Sequence, residues 1–357
     1  MKQDKEEVEV GTVFKLAGGF IAWIIGSGFA TGQEVLQYFS SYGLMGYAAM
    51  ALCLAGFIGF GQILMWTGYR HREEERFQQF KYFCGEKLGT AYSWVIPIAL
   101  VALIAVLVSA AGTTVQEYYR INRYIGSAAM TVFILCAYLI GFQRLVKIVS
   151  SVSPLIIFFS LIVGTVSVVR DFGNFAFLDE VQECVRPFQA SPSWILSGVL
   201  YLSMNFLCGS TYFTALGASA KNEKEARLAA TMGSIAIMTT IAIISTAILL
   251  NGKDIAALQI PTLYLAKKLS SFFGGVFSII LFLGMFSSSS AMMWTACDSL
   301  SGGNEKRGKL VAISVSAIVF LLGLFPFGNL VSVIYPFIGY VSLIYLACVV
   351  NKQIGNK

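Results

Sequence analysis

The 357-residue sequence is 57% hydrophobic and only 12% charged, about half the charged fraction of an ordinary soluble domain. Apolar stretches of roughly 20 residues recur along its whole length, which excludes a soluble fold and points to a single membrane domain over residues 1–357. A net charge of +6 would suggest nucleic acid in a soluble protein; here the distribution of the charge explains it, and no nucleic-acid partner is expected.

The chain begins with a charged segment, MKQDKEEVEVGTVF. The apolar run that follows is too long for the core of a cleavable signal, so the N-terminus is expected to stay in place. Hydropathy and loop breaks predict ten membrane helices, near 13–41, 44–68, 91–116, 125–142, 145–169, 194–217, 228–250, 272–299, 309–325 and 329–350. After the second, RHREEERFQQFKYF is expected to form one amphipathic helix at the membrane interface. The single histidine, His71, lies in that charged segment, which argues against a histidine metal site. Two further connections, DFGNFAFLDEVQECVRPFQASP and NGKDIAALQIPTLYLAKKLSS, are long enough for short helices. Either a lid over a pocket or a plain connection fits them.

Of the 25 Lys and Arg residues, all but Arg120, Arg123, Arg170, Arg186, Lys253, Lys267 and Lys268 fall on the side that holds both termini. The positive-inside rule therefore predicts a multi-pass cell (plasma) membrane protein with both termini in the cytoplasm. Seven cysteines, five of them in apolar runs, form no CxxC pair and read as packing residues. GNEKRGKL, residues 303–310, matches GxxxxGK, but Leu310 stands where a phosphate loop needs Ser or Thr. No catalytic elbow, acid pair or Cys/His cluster is present, so neither an enzyme nor a cofactor is expected.

Ten spans divide into five plus five, about 13–169 and 194–350, and an odd number per half gives the halves opposite topology. Inverted repeats of this kind place a binding site where discontinuous helices meet in matching positions. The first half offers Gly26-Ser27-Gly28-Phe29-Ala30-Thr31-Gly32, the second NFLCGSTYFTALG from Asn205 to Gly217. Each glycine weakens a helix by roughly 1 kcal/mol relative to alanine, and carbonyls freed inside a bilayer must meet protein, water or an ion. Gly28 and Gly32 also form a GxxxG pair suited to close helix packing, which is the competing explanation. Glu34 tilts the balance toward a polar interior, because a carboxylate within a span costs roughly 3 kcal/mol; structural tethering is its alternative role. In the eighth span Ser287, Ser288, Ser289 and Ser290 run consecutively, so some of their hydroxyls face the protein interior.

On these motifs the chain resembles the amino acid-polyamine-organocation (APC) superfamily of LeuT-fold secondary transporters, and within it the bacterial YkvI-like membrane proteins. IIGSGFATG is similar to that fold's broken first helix, GMFSSSSAMM to the sodium-binding stretch of its eighth, and GSTYFTALGASAKNEKEARLA to its sixth helix and exit. The resemblance implies an all-α ten-helix fold with helices 1 and 6 broken. It also implies a sodium site with carbonyls from Ala22, Ile25 and Gly284 and hydroxyls from Ser287 and Ser288. Ser153, with Lys147 two turns earlier, stands where proton-coupled relatives carry a lysine, which favours sodium. The substrate would lie against Gly26, Ser27, Gly28, Phe206, Gly209 and Ser210, with Asn205 and Glu34 as side-chain partners. Gly-Ser-Thr in the sixth span, in place of the Gly-Phe-Glu of many amino acid permeases, argues against a standard amino acid. The expected function is a sodium-coupled symporter of a small organic solute, amino acid or amine-like. Proton coupling through Glu34 and a non-transporting membrane receptor are the alternatives; oligomeric state is left open.

Overall fold

A computed structural model describes residues 8–24, 27–74, 77–302 and 304–355; the side chains of residues 27, 142–154, 176, 177 and 179 lie outside the description. The described chain is helical almost throughout, as a bilayer requires of backbone that has no water to bond. The first apolar run gives three pieces, α1 (Val10–Ile24), α2 (Ser27–Ala30) and α3 (Gln33–Tyr38). Long helices follow: α4 (Met45–Arg70), α5 (Gln79–Tyr119), α6 (Arg123–Ile140) and α7 (Phe142–Arg170). A short helix, α8 (Leu178–Val185), leads to α9 (Trp194–Ala218) and α10 (Glu223–Leu250). The last are the short α11 (Gly252–Ile255) and α12 (Pro261–Leu269), then α13 (Ser271–Ser301), α14 (Glu305–Leu322) and α15 (Phe327–Gly355). Seven of these, α4, α5, α6, α9, α10, α13 and α15, are long and apolar enough to cross a membrane.

The helices pack as two groups. α1, α4, α9 and α10 pack on one another, as do α5, α6, α13 and α14; α7 joins the groups through α10 and α13, and α15 through α9 and α5. Within the first group small residues bring the backbones together. Gly217 of α9 lies against the Met65 backbone of α4, Gly68 of α4 against the Thr214 backbone, and Gly198 against Ala49. Helix starts are capped as the sequence suggests: Ser193, Asn222, Ser270 and Asn304 each accept a backbone N–H from the first turn that follows.

Hydrogen bonds tie helix ends that are distant in the sequence. The Glu9 N–H donates to Glu225 at 2.8 Å and Lys221 Nζ bonds Glu9, tying the start of α1 to the α9–α10 turn. At the opposite ends Lys268 Nζ donates to Asp171 at 3.1 Å, Asn251 Nδ2 donates to Asp171 at 2.9 Å, and Arg123 donates to the Leu324 carbonyl at 3.0 Å.

Two expectations are corrected. The interfacial segment is not one helix: the described part turns at residues 71–73, with His71 stacked on Phe77 at 4.4 Å, and helix begins at Gln79. Gly85, at φ 74°, then kinks α5, so Gln79–Cys84 forms a separate short turn before the long helix. The larger correction is that the sixth span, α9, is a continuous helix. At the motif Asn205 and Thr214 bond back to their own helix: Asn205 Nδ2 to the Tyr201 carbonyl at 2.9 Å, and Thr214 Oγ1 to that of Ser210 at 3.0 Å. Its glycines are spent on close packing, and no carbonyl is released.

Candidate functional site

The described break in the first span lies at Thr31-Gly32. Gly32 adopts φ 79°, and a Cβ there would meet Thr262 Cγ2 at 2.8 Å and Pro261 Cβ at 3.1 Å, so glycine is required both by conformation and by space. The carbonyls that the break frees are taken one by one. Thr31 Oγ1 donates to the Gly28 carbonyl at 2.7 Å; Thr262 Oγ1 donates to that of Ala30 at 2.5 Å; and the Thr262 N–H donates to that of Thr31 at 3.2 Å. The Gln33 N–H donates to Thr31 Oγ1 at 3.2 Å, capping α3. α12, inside the second long connection, therefore covers the break, and Glu117 at the end of α5 holds its approach by accepting the Gln259 N–H at 2.8 Å.

Beneath the break is a cavity of about 60 Å³. Trp23 and Ile24 of α1, Gly28 and Phe29 of α2 and Glu34 of α3 line one side. Leu103 and Leu107 of α5, Met204, Asn205 and Cys208 of α9, Ser288 and Met292 of α13 and Tyr335 of α15 line the rest. The α5, α9 and α13 residues lie near the middle of their helices, so the cavity sits at mid-depth. Glu34 is 7% exposed and its carboxylate lies beside the Tyr335 hydroxyl, both against Gly28. Among the described residues no Lys, Arg or His forms an ion pair with it. A Cβ at Gly28 would collide with the Glu34 carboxylate and stand 2.7 Å from the Tyr335 hydroxyl. Glycine at 28 thus lets the carboxylate reach the cavity wall.

Of the expected substrate residues, the structure brings Gly28, Glu34 and Asn205 to this cavity, together with Ser288 from the expected sodium set. Gly26 and Ile25 lie outside the described residues, as do the side chains of Ser27, Lys147 and Ser153. Three residues of α9 sit elsewhere. Phe206 is fully buried among Phe20, Phe57, Phe60 and Phe213, with the Phe57 ring centroid 5.0 Å away. Gly209 is packed under the Trp23 indole, and the Ser210 hydroxyl bonds Tyr345. Their expected role rested on freed backbone in α9, and a continuous helix frees none.

Of the remaining sodium residues, Ser287 is buried next to Ser288, Gly284 lies against Ile156, and Ala22 is half-buried in α1. Ser289 and Ser290, which follow Ser288 in the serine run, have buried hydroxyls without a hydrogen-bond partner.

Trp23, Ile24, Phe29, Leu103, Leu107, Met204, Cys208, Met292 and Tyr335 were missed. Part of the signal was available: one turn from Ser288 is Met292, and one turn from Asn205 is Cys208. Tyr335 precedes Pro336, a proline inside an apolar helix that removes one backbone N–H from the last span.

No protein-family model matches the chain. It is 22% identical over 352 residues to the uncharacterized membrane protein YkvI of Bacillus subtilis (strain 168), covering 98% of this chain and 99% of the relative. It is 19% identical over 334 residues to the uncharacterized protein YyaD of the same organism, covering 94% and 95%. Among solved structures it superimposes on the crystal structure of MhsT in complex with L-phenylalanine with a TM-score of 0.58 at 13% identity, over 98% of this chain and 93% of that one. The fold is that of the LeuT-type transporters. The chain is similar to YkvI along nearly its full length.

Proposed function

We propose that the protein is a secondary active transporter that moves a small organic solute, amino acid or amine-like, by alternating access. The observation that carries this reading is the mid-depth cavity where the broken first span meets α5, α9, α13 and α15, with a buried carboxylate at its wall. A likeness of fold alone does not assign an activity; a small mid-depth pocket carrying a few polar groups is what transport of a solute needs.

The proposed architecture counts α1–α3 as one crossing among ten, in two inverted halves, about 13–169 and 194–350. Helix packing supports it. A shift of five crossings maps the α4–α9 pair onto α10–α1, and α7–α13 onto α15–α5, and both members of each couple are in contact. Glu9 bonded to Lys221, and Lys268 to Asp171, agree with an even number of crossings; the cytoplasmic assignment of both termini rests on the basic residues.

Sodium is the proposed coupling ion, held by Ser287 and Ser288 of α13 with carbonyls of Gly284, Ala22 and Ile25. Its support is the contact of α2 with α13 and the place of Ser288 on the cavity wall. Sodium over potassium should raise the melting temperature of purified protein, and Ser287→Ala with Ser288→Ala should abolish the difference. Equal stabilisation by both ions would remove sodium coupling. A second reading, proton coupling through Glu34, is favoured by the carboxylate's burial without a cationic partner. Uptake that follows an imposed pH gradient into liposomes and is lost in Glu34→Gln would select it. Solute binding without uptake under either gradient would instead leave a receptor.

A further inference from the structure

We infer that the cavity selects a short aliphatic amine that carries no carboxylate, a conclusion that rests on its being the solute site. The polar groups on the wall are unequal in kind. Glu34 offers acceptor oxygens, with the Tyr335 hydroxyl beside them. Asn205 gives Nδ2 to the Tyr201 carbonyl, which turns the amide oxygen into its free acceptor. Ser288, whose hydroxyl either donates or accepts, is the third polar group, and no Lys, Arg or His lines the cavity. An ammonium brings three N–H donors and a positive charge to two acceptors, one of them a carboxylate. A ligand carboxylate would face Glu34 at short range with no basic side chain to offset the repulsion.

Most of the remaining wall is apolar, including Ile24, Phe29, Leu103, Leu107, Met204 and Met292. These suit a hydrocarbon tail, and a further N–H donor is the Trp23 indole. Size narrows the class further. A cavity of about 60 Å³ is less than half the roughly 150 Å³ that admits benzene, which leaves room for roughly two to three heavy atoms. Ethylamine, with three heavy atoms, comes nearest that limit.

The test is thermal stabilisation and calorimetric titration of the full-length protein at neutral pH with ethylammonium and propylammonium chloride, against potassium chloride, glycine, L-alanine and propionate at equal ionic strength. The expected result is binding of at least one amine and none by the other solutes at tenfold higher concentration. Glu34→Gln should weaken the amine at least tenfold. Should that variant fail to fold, Asn205→Leu, which removes the neutral acceptor, should weaken it severalfold. Stabilisation by glycine or L-alanine equal to that by the amines, or the absence of any amine effect, overturns the inference. Exchange of labelled amine across liposomes is read separately: amine binding without exchange removes transport and leaves the selectivity standing.

Discussion

The first and sixth spans share a Gly-Ser step, an aromatic, a threonine and a further glycine, yet one is broken at Gly32 and the other runs unbroken from Trp194 to Ala218. The difference lies in what surrounds each motif. At the first, Thr262 supplies two donors to the carbonyls of Ala30 and Thr31, and Thr31 turns its hydroxyl onto that of Gly28. At the sixth, the Met65 backbone and the Trp23 ring press on Gly217 and Gly209, and among the described residues no side chain of another helix donates to the carbonyls of Asn205 to Gly217. Glycine permits a break, but within a membrane a break persists only where partners exist for the backbone it exposes.

The largest effect should come from Gly32→Val. A left-handed conformation costs an L-residue roughly 1–2 kcal/mol and overpacking roughly 1–3 kcal/mol, so a loss of about 3 kcal/mol is expected in denaturant titration of purified protein. Gly209→Ala should cost less, about 1–2 kcal/mol, because its backbone is already helical and only the Trp23 and Phe213 rings must shift. If the two substitutions cost the same, the conformational distinction between the spans fails. Thr262→Val keeps shape and the N–H but removes one donor from the Ala30 carbonyl; a loss of about 1 kcal/mol is expected, with faster amide exchange in the segment after Gly32.

The smallest effect concerns the tie between the two spans, Glu9 with Lys221. The hydrogen bond to Lys221 holds the Glu9 carboxyl below its ordinary range, and the bond to Glu9 holds the Lys221 ammonium above its own. The contribution is therefore present above the ordinary glutamate range and below the ordinary lysine range. It is lost as pH falls through the lowered Glu9 value or rises through the raised Lys221 value. Both groups are solvent-exposed, so salt should weaken the tie. Lys221→Ala should flatten the acid limb of a melting-temperature profile measured against pH at low salt.

The helices and their order were legible because long apolar runs leave a membrane chain few alternatives. Gly28, Glu34, Asn205 and Ser288 were legible as polar or permissive residues inside such runs. The continuity of α9 was not, since the same glycines serve a break or a close contact and the sequence does not name the neighbour. The lining leucines and methionines, Leu103, Leu107, Met204 and Met292, are indistinguishable by type from those that face lipid or core. Thr262 was hidden for a different reason: its partners are backbone carbonyls about 230 residues away in the chain, and side-chain patterning carries no trace of them.

Hydrogen–deuterium exchange in lipid nanodiscs compares the two spans most directly, residues 27–39 against 203–217. The expected result is exchange at least tenfold faster after Gly32 than anywhere in the α9 segment, with the α9 amides protected throughout. Equal protection of the two segments, or fast exchange at Gly209 and Ser210, would contradict a single broken span bordering the cavity.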